Sequence, residues 1–559
     1  MSDVSTAAVP TAAVPTSIAD FVRNRVDDDT MAVVSADDAL TYRQWVQGCA
    51  DRAALWSSQC DTNRPPHIGV LLENTAEFTM WLGAAALTGA TIVGINPTRR
   101  GAELQRDITH TDCQMIVTDS AQHHLFDGLD MGMASSLVYD IDSDHYRGAV
   151  TGFAGAALPV VDVQPTTQYL LLFTSGTSGH PKAVICSHGR LVGVSNAIIG
   201  IASLTGADTT YISMPLFHSN ALFSAWAPSV AAGATVALRR KFSASEFLPD
   251  VRRYGATYFN YVGKPLAYVL ATPEQPDDRD HSLRLGFGNE ANESDLARFS
   301  ERFGCRLIDG YGQTETGASI GRVPGMPAGA LGMAAPAVKV LNPETGEECP
   351  PAVFAADGRL LNAAEATGEI VNTGPSTFEG YWNNPEANAE RVRNGAYWTG
   401  DLAYRDAAGF FYFAGRTADW LRVDGENFAG APIERIVARY PGVLLAAVYG
   451  VPDPVSGDRV MAALQLADGV TFQPDAFAAF LRDQADMGTK WAPHFVRIVK
   501  EFPMTETNKV LKRTMVAQRW SQHDGLWARS GSTYRPFGVE EEAALHDEFE
   551  RSGRSGVLA

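Results

Sequence analysis

Cysteine is scarce in this sequence, and it contains no apolar run long enough to cross a membrane. The 559 residues include six cysteines with no C-x-x-C pair, so the sequence predicts neither a disulfide framework nor a zinc site. The most apolar stretch, Trp81 to Ile95, is shorter than the roughly 20 residues that a membrane span needs. No basic segment followed by an apolar one opens the chain, so no secretory signal is predicted. These absences predict a cytoplasmic protein without an integral membrane segment.

Positive charge is also in short supply. Lysine and arginine number 45 against 64 aspartates and glutamates, which gives a formal net charge of −19. Such a chain is unsuited to sequence-independent binding of nucleic acid or of an anionic membrane surface, so no nucleic-acid partner is predicted. A polyanionic ligand such as a nucleotide would need positive counter-charges placed locally. Because 45% of the residues are hydrophobic, the chain can bury several cores, and its length favours two to four structural units.

Short strand-like runs alternate with helical patterns over most of the chain. HIGVLLEN (67–74), a helical pattern and TIVGINP (91–97) form a strand–helix–strand sequence that is typical of βαβ units. The aromatic stretch from Gly409 predicts antiparallel strands, and the runs after it predict a small C-terminal α+β domain. The predicted fold class is α/β, with a large N-terminal domain of βαβ-type sheets that includes a smaller β subdomain. The predicted boundaries are a disordered arm over 1–17, domains over 18–416 and 417–520, and a loosely ordered tail over 521–559.

One loop carries the residue types of an anion site. In LLFTSGTSGHPKAV (171–184), two predicted hairpin strands enclose Thr174, Ser175, Gly176, Thr177, Ser178 and Gly179, and Lys182 follows. The glycines permit close backbone approach, successive N–H groups and hydroxyls form a nest for an anion, and the lysine adds a mobile positive charge. The loop therefore suits a phosphate, although the Walker A spacing is absent. A polar hairpin tip is the alternative for such a turn taken alone.

Further motifs follow this loop in order. They are MPLFHSNA (214–221), GYGQTE (310–315), YWTGD (397–401), GRTADWLRVDGEN (415–427) and PMTETNKVLKR (503–513). Together with the loop they resemble the adenylate-forming superfamily of acyl-CoA synthetases, luciferases and peptide-synthetase adenylation domains, over residues 18–520. LRRKFSASEF (238–247) and LRLGFGNEANESDLARFSERFG (283–304) are similar to the branch of very-long-chain acyl-CoA synthetases and fatty-acid transport proteins. That branch includes bile-acid and steroid-carboxylate CoA ligases.

The resemblance implies an ATP-dependent acyl-CoA synthetase that activates a long-chain or bulky carboxylic acid, with steroid side-chain acids among the candidates. The acid would form an acyl-adenylate with release of pyrophosphate, and coenzyme A would then displace AMP. The implied cofactors and co-substrates are ATP, Mg²⁺ and coenzyme A, and a homodimer is compatible with this reading. Two alternatives stay open: an adenylating enzyme that loads a separate carrier protein, and a non-catalytic protein that binds or transports fatty acids.

Several motif residues are candidates for contacts with the nucleotide. Glu315 is a hard oxygen ligand suited to Mg²⁺, and Thr174 is a second candidate ligand. Asp401 can accept hydrogen bonds from both ribose hydroxyls, because one carboxylate carries two acceptor oxygens. Arg416 resembles the family's ribose and phosphate contact. Taken alone, Glu315 could equally be a solvated acid on a surface turn, Asp401 a turn cap and Arg416 a solvated arginine.

The resemblance assigns further residues to the nucleotide, to coenzyme A and to the acid. It implies that Thr314 contacts the α-phosphate and that Gly425 contacts pantetheine. It assigns five residues to adenine: Tyr311, Gly312, Gly288, Asn289 and Glu290. It also places His218 in the acyl pocket. A histidine beside apolar residues is as well explained as a satisfied core residue, so both interpretations of His218 stay open.

Lys509 is the candidate for the adenylation step. By resemblance, a lysine from a small mobile C-terminal domain bridges the carboxylate and the α-phosphate, and domain rotation then removes it. The family usually has Gly-Lys here, whereas Asn508 precedes Lys509; asparagine tolerates left-handed backbone geometry better than most residues. Ala418 stands where many relatives carry Asp or Lys at the pivot between domains. Lys512 is the rival lysine for this role, and it ranks lower because its position within the motif corresponds less well to the family's lysine.

Overall fold

The computed structural model has an α/β architecture, which confirms the predicted fold class. It describes residues 14–174, 181–291, 293–315, 317–355, 360–416, 420–423, 426–455, 457–484, 487–488, 490–504, 510–521, 523–552 and 554–558. Two large sheets with helices packed against them are followed by a β subdomain and a smaller C-terminal sheet. Mobility of the C-terminal domain stays a prediction.

The strands of the N-terminal part begin at residue 31. They are β1 Met31–Val34, β2 Ala39–Thr41, β3 His67–Leu71, β4 Thr91–Gly94, β5 Met115–Thr118, β6 Val138–Asp140, β7 Gln168–Thr174, β8 Lys182–Ser187, β9 Thr209–Ile212, β10 Thr235–Leu238, β11 Tyr258–Val262, β12 Leu285–Asn289, β13 Arg306–Tyr311, β14 Ile320–Gly321 and β15 Met333–Ala334. Among the described residues, one sheet has the order β6-β5-β3-β4-β7-β8 and the other β15-β14-β13-β12-β11-β9-β10-β1-β2.

The helices of this part connect those strands. They are α1 Ile18–Arg23, α2 Tyr42–Gln59, α3 Ala76–Thr88, α4 Gly101–His110, α5 Asp144–Thr151, α6 His188–Ala202, α7 Ser219–Ala221, α8 Ala227–Ala232, α9 Ala244–Tyr254, α10 Gly263–Leu270 and α11 Glu293–Phe303. The segments His123–Phe126 and Ser135–Leu137 are 3₁₀ turns, and Leu222–Trp226 is a π-helical turn.

Local sequence explains where the predicted βαβ unit starts and stops its helix. The Thr75 side chain accepts a hydrogen bond from the Phe78 backbone N–H and caps the start of α3. Gly89 ends the helix at φ 71°, a left-handed conformation that glycine adopts without steric cost. Strands β3 and β4 then pair in parallel, as the sequence predicts. Nearly all of α3 is buried, which explains why the apolar stretch there has no polar face.

The carboxyl ends of parallel strands lie at one edge of the nine-stranded sheet. Strands β11, β12 and β13 pair in parallel, and β12 and β13 lead directly into candidate segments, at Glu290 and at 312–315. In open α/β sheets, ligands bind outside this edge. The GYGQTE motif is therefore positioned by β13 beside the segments that follow its neighbours.

A small antiparallel sheet forms the predicted β subdomain. Its elements are β16 Val338–Leu341, α12 Ala363–Ala366, β17 Gly368–Asn372, α13 Pro385–Arg391, β18 Val392–Arg393, β19 Ala396–Arg405 and β20 Phe411–Arg416. Strand β19 carries the YWTGD motif and pairs with both β17 and β20, with Asp401 opposite Arg416. The antiparallel strands predicted from the aromatic stretch are confirmed.

The C-terminal part is a mixed sheet with helices. Its elements are β21 Trp420–Val423, β22 Glu426–Ala429, α14 Gly430–Val437, β23 Val443–Pro452, β24 Asp458–Leu466, α15 Pro474–Arg482, β25 Phe495–Val499, α16 Lys512–Gln518, β26 Leu526–Ser530, β27 Thr533–Pro536 and α17 Val539–Arg551, followed by the 3₁₀ turn Ser555–Leu558. The sheet order is β23-β24-β25-β26-β27, with β24 and β25 parallel and the other pairs antiparallel.

The prediction of a loosely ordered tail from residue 521 is wrong. Strand β26 pairs with β25, and Leu545 and Phe549 of α17 are buried in the core of this sheet. The Phe549 ring centroid lies 5.9 Å from that of Trp520. Leu545 and Phe549 are four residues apart and so share one face of α17, and the charged residues around them concealed this apolar stripe in the sequence.

No helix in the described stretches combines the length and the apolar character needed to cross a membrane. All six cysteines are described, and all are unpaired.

Candidate active site

The predicted phosphate-loop hairpin is confirmed in its two strands. Strands β7 and β8 pair antiparallel, with Thr174 opposite Lys182 at the end from which the loop leaves. Thr174 is half-buried there. The other loop residues predicted to bind phosphate, Ser175, Gly176, Thr177, Ser178 and Gly179, lie outside the described residues. Their role therefore stays a prediction.

Lys182 was predicted to supply a mobile charge, and the structure corrects this. Its side chain is 5% exposed, and its ammonium lies 3.5 Å from the Glu390 carboxylate and 5.3 Å from the centroid of the Tyr381 ring. Burial against an aromatic face restricts the lysine to one position. Its charge is fixed at the base of the loop, beside Tyr381.

An extended segment of the β subdomain adds to the outer edge of β8. The Ile185 N–H donates to the Gly380 carbonyl at 2.9 Å, and the Trp382 N–H donates to the Ala183 carbonyl at 2.8 Å. Between these two bonds, Tyr381 forms an antiparallel bridge with Val184. The phosphate-loop hairpin is thereby hydrogen-bonded to the subdomain that carries Asp401.

Glu315 lies at the end of the GYGQTE turn and contacts this added segment. The Tyr381 hydroxyl donates to Oε1 of Glu315 at 2.9 Å, and Nε of Arg391 donates to the Tyr381 oxygen at 3.2 Å. Tyr381 and Glu315 are only 2% and 7% exposed. Burial and the neighbouring carboxylate raise the pKa of the Tyr381 hydroxyl above its usual range, so it stays protonated and donates.

Asp401 accepts two hydrogen bonds from the GYGQTE motif. The Tyr311 hydroxyl and Nε2 of Gln313 reach its Oδ2 at 2.8 and 2.6 Å. Asp401 is 4% exposed, and its backbone N–H donates to the Thr399 hydroxyl at 3.1 Å. Burial and the Asp401 carboxylate raise the pKa of Tyr311 well above its usual range. The two motifs, predicted separately from sequence, meet in one buried cluster.

Thr314 connects this cluster to the PLFH segment. Its hydroxyl lies 2.8 Å from the Ser219 hydroxyl, within hydrogen-bond distance. The Thr314 carbonyl accepts a hydrogen bond from the Arg190 guanidinium, which also donates to the Ile185 carbonyl of β8 at 2.7 Å. Arg190 further lies over the ring of Phe223, 5.6 Å from its centroid. One buried arginine thus joins β8, the GYGQTE turn and the segment after His218.

His218 is half-buried and precedes α7, with its ring centroid 4.3 Å from that of Phe217. The chain then forms the π-helical turn Leu222–Trp226, a wide turn that is rare and frequently found at functional sites. A place in the acyl pocket and a place in the core are both compatible with this environment, so the role of His218 stays a prediction.

The predicted adenine segment follows β12 and has a constrained backbone. A Cβ atom at Gly288 would lie 2.3 Å from the Tyr261 carbonyl oxygen, so this close approach requires glycine. Glu290 has φ 65°, which is uncommon for a residue other than glycine. Nδ2 of Asn220 donates to Oδ1 of Asn289 at 3.2 Å and to the Tyr261 carbonyl at 3.0 Å. This segment is therefore tied to β11 and to the start of α7.

Asp309 is a buried carboxyl that the sequence analysis did not single out. It lies in β13, and its Oδ2 accepts hydrogen bonds from the Ala291 N–H at 3.2 Å and the Tyr261 hydroxyl at 3.3 Å. Burial raises its pKa from the ordinary value of 3.8 to about 7. Its position just before GYGQTE was the sequence signal that could have identified it.

We expect Asp309→Asn to remove a pH dependence of stability. The raised pKa means that the folded state holds this proton more tightly, so the stabilisation is complete below the unfolded pKa and is lost as pH rises through about 7. Asparagine keeps an oxygen acceptor and cannot ionise. Between pH 5 and pH 8 the free energy of unfolding of the variant should improve relative to the wild type by about 2 to 3 kcal/mol, measured by urea unfolding. Parallel stability profiles of the two proteins would contradict this.

Four predicted positions fall wholly or partly outside the described residues. Lys509, Gly425 and the pivot position Ala418 lie outside them, and of Arg416 only the backbone is described, opposite Asp401. The rival lysine, Lys512, is described: its ammonium forms an ion pair with Glu434 at 2.8 Å. Tyr381, Arg391 and Arg190 contact the site without having been predicted, and their contacts join positions too distant in sequence for a pattern to reveal.

Comparison with protein families gives two matches. The model described as AMP-binding enzyme matches residues 21–382, and the model of the AMP-binding enzyme C-terminal domain matches residues 432–509. The first of these covers more than half of the chain and contains the phosphate loop, GYGQTE and the Tyr381 segment.

Two curated relatives match most of the chain. A steroid-22-oyl-CoA synthetase of Rhodococcus jostii RHA1 is 49% identical over 550 residues, covering 97% of this chain and 99% of the relative. The medium/long-chain-fatty-acid–CoA ligase FadD17 of Mycobacterium marinum is 50% identical over 481 residues, covering 86% and 92%. Among solved structures, ATP-bound MatB from Rhodopseudomonas palustris has a TM-score of 0.77 at 23% identity, covering 90% of this chain and 99% of that one. The structural likeness supports the fold.

Proposed function

The chain belongs to the AMP-binding enzyme family and is an adenylate-forming CoA ligase, and from this premise we propose that its acid substrate is a bulky steroid side-chain carboxylic acid. The steroid-22-oyl-CoA synthetase that matches nearly the whole chain supports this choice, and the equally similar FadD17 ligase makes a medium- or long-chain fatty acid the alternative. ATP and coenzyme A are its co-substrates. The unpaired cysteines are consistent with the cytoplasm as its proposed location.

The nucleotide part of the proposal rests on the contact between the GYGQTE and YWTGD motifs, which lie together in one buried cluster. Tyr311 and Gln313 fix one oxygen of Asp401, so the carboxylate has a defined orientation in which to accept the ribose hydroxyls. Thr314 and Glu315 follow on the same turn, where they would meet the phosphates. We assign adenine to Tyr311 and Gly312 and to the constrained segment Gly288, Asn289 and Glu290.

We propose Glu315 and Thr174 as the residues that would hold Mg²⁺. The residues fit a hard cation: Tyr381 occupies one oxygen of Glu315, and a carboxylate offers about four lone-pair positions in total. When bound, Mg²⁺ supplies charge neutralisation at the phosphate oxygens. The fixed charge of Lys182 and the N–H groups of residues 175–179 would add to it from the loop.

The proposed chemistry has two steps at one site. A carboxylate oxygen of the acid attacks the α-phosphorus of ATP, pyrophosphate leaves, and an acyl-adenylate forms; the coenzyme A thiolate then attacks the acyl carbon and AMP leaves. Lys509 would bridge the carboxylate and the α-phosphate in the first step, where negative charge accumulates. Arg416 would contact ribose and phosphate. In the second step, Gly425 would contact the pantetheine of the incoming coenzyme A.

The cavity beyond β11 is too small for the acid. It is lined mainly by aromatic and aliphatic side chains, including Met214, Phe242, Phe247, Phe259, Leu266 and Val269, and the last four belong to a buried hydrophobic core. We therefore propose that the acyl pocket is formed instead by His218 and the π-helical turn Leu222–Trp226, which precede and follow α7.

The proposal is tested by AMP and acyl-CoA formation with ATP, Mg²⁺ and coenzyme A across matched acids. The panel contains steroid side-chain carboxylates, palmitate, octanoate and acetate. We expect kcat/KM for the best steroid acid to exceed that for palmitate by more than tenfold, because a pocket shaped for rings leaves a flexible chain poorly packed. A preference for linear acids would overturn the steroid assignment and retain the ligase.

A further inference from the structure

Tyr381 touches three charged groups of the candidate site through one side chain. We propose that it is a positioning residue that orients the Glu315 carboxylate toward the metal-bound nucleotide and couples that orientation to the phosphate-loop strand. This inference rests on the proposed role of Glu315 as a metal ligand.

The direction of the hydrogen bonds around the Tyr381 hydroxyl is fixed. Arg391 can only donate, so its bond at 3.2 Å uses a lone pair of the phenol oxygen. The single phenol proton is then left for Oε1 of Glu315 at 2.9 Å. Because this bond occupies one defined oxygen of the carboxylate, the plane of the carboxylate is constrained, and the second oxygen has one preferred direction.

The backbone of Tyr381 is fixed to the hairpin that carries the phosphate loop. Its antiparallel bridge with Val184 is enclosed by the two hydrogen bonds from Ile185 and Trp382. Its side chain packs with Val184 and Ala387 in a small buried cluster. The position of the hydroxyl is therefore set by β8, and any shift of the hairpin would shift the donor to Glu315.

The two cations beside Tyr381 strengthen its hydroxyl as a donor. The ammonium of Lys182 lies over the aromatic ring, 5.3 Å from the centroid, and the Arg391 guanidinium contacts the oxygen. Both draw electron density from the phenol, which polarises the O–H bond toward the carboxylate. A phenol with its ordinary pKa of about 10 carries its proton at neutral pH, so a donor is present.

Removal of this single hydroxyl tests the inference. We expect Tyr381→Phe to raise the Mg²⁺ concentration for half-maximal acid-dependent pyrophosphate release by roughly 5- to 20-fold, because the carboxylate loses its constrained orientation. Binding of Mn²⁺ in the presence of a non-hydrolysable ATP analogue, followed by electron paramagnetic resonance, should weaken by a similar factor. The rate of thioester formation from supplied acyl-adenylate should stay unchanged, because that step uses no pyrophosphate-bound metal.

Tyr412→Phe is the matched control. Tyr412 lies in the same subdomain, and its hydroxyl donates to Asp406 at 3.0 Å away from the motif cluster. The control loses a partly buried hydrogen bond from a tyrosine to a carboxylate and should leave the metal dependence as in the wild type. If Tyr381→Phe fails to fold, Arg391→Lys replaces it. That variant keeps the positive charge and loses the fixed donor to the phenol oxygen, and we expect at least a twofold rise in the Mg²⁺ requirement.

The possible failures are distinguishable. Unchanged metal dependence and unchanged Mn²⁺ binding in Tyr381→Phe would overturn the positioning role, as would an equal loss in both half-reactions. If the wild type itself shows no Mg²⁺ dependence of pyrophosphate release, the proposed role of Glu315 and Thr174 fails first. If the Mg²⁺ requirement of Tyr412→Phe rises as much as that of Tyr381→Phe, the effect reflects a general loss of subdomain stability. That result would also overturn the inference.

Discussion

Lys509→Ala is expected to lose carboxylate-dependent pyrophosphate release by roughly 10²- to 10³-fold, the loss that follows removal of one donor aimed at developing charge. In the proposed mechanism Lys509 bridges the acid and the α-phosphate only in the first step, so conversion of supplied acyl-adenylate to thioester should stay within about twofold of the wild type. The two half-reactions are measured separately, by pyrophosphate release without coenzyme A and by thioester formation from the adenylate.

Lys512→Ala is the matched control for this lysine. Its ammonium is held by Glu434 at 2.8 Å, so the variant should retain most of the pyrophosphate release. Equal loss of both half-reactions in Lys509→Ala would contradict the assignment of Lys509 to the first half-reaction alone. A larger loss in Lys512→Ala than in Lys509→Ala would transfer the adenylation role to the rival lysine, against the register of the motif.

Asp401→Ala is expected to raise the KM for ATP by about 10²-fold, because both ribose hydroxyls would lose the charged acceptor that we propose for them. It should also destabilise the protein by about 2 to 5 kcal/mol, since the Tyr311 hydroxyl and Nε2 of Gln313 lose their shared acceptor inside a buried cluster. Asp401→Asn keeps one oxygen for those donors. It should therefore retain stability and raise the KM for ATP by only about tenfold.

Asp406→Asn is the control for the loss of a carboxylate from the same subdomain. Asp406 accepts hydrogen bonds from the Tyr412 hydroxyl and from the Phe410 N–H, and among the described residues no hydrogen bond joins it to the motif cluster. Its KM for ATP should match the wild type. A KM unchanged in Asp401→Ala, with only the stability reduced, would show that Asp401 serves the motif cluster and not the ribose.

The sequence predicted those parts of the fold and site in which local pattern determines position. Strands β3 and β4 and the helix between them were predicted from the succession of strand-like and helical runs, and the structure shows that Thr75 and Gly89 mark the helix ends. The GYGQTE and YWTGD motifs, both assigned to the nucleotide by resemblance, are in contact, because Tyr311 and Gln313 donate to Asp401.

The remaining features depend on contacts between distant segments. No local pattern connects Tyr381 with Glu315, which are 66 positions apart, or shows that Arg391 donates to the same phenol. Lys182 was expected to be mobile because it follows a polar, glycine-containing loop, whereas Tyr381, the residue whose ring it lies over, comes from a segment that is distant in sequence. The tail was misjudged for a related reason, since Leu545 and Phe549 become a recognisable stripe only once β26 and Trp520 provide a surface to cover.

In the proposed mechanism a carboxylate oxygen of the acid attacks the α-phosphorus of ATP, and the transfer of ¹⁸O from the acid to AMP reports this attack. The acid is labelled with ¹⁸O at both carboxylate oxygens and turned over with ATP and coenzyme A. One labelled oxygen should leave with AMP in each turnover and the other should stay in the thioester, because thiolate attack at the acyl carbon breaks the bond between that carbon and the bridging oxygen. Unlabelled AMP, or label recovered in inorganic phosphate together with ADP, would contradict the acyl-adenylate and with it the assignment of Lys509, Glu315 and Asp401.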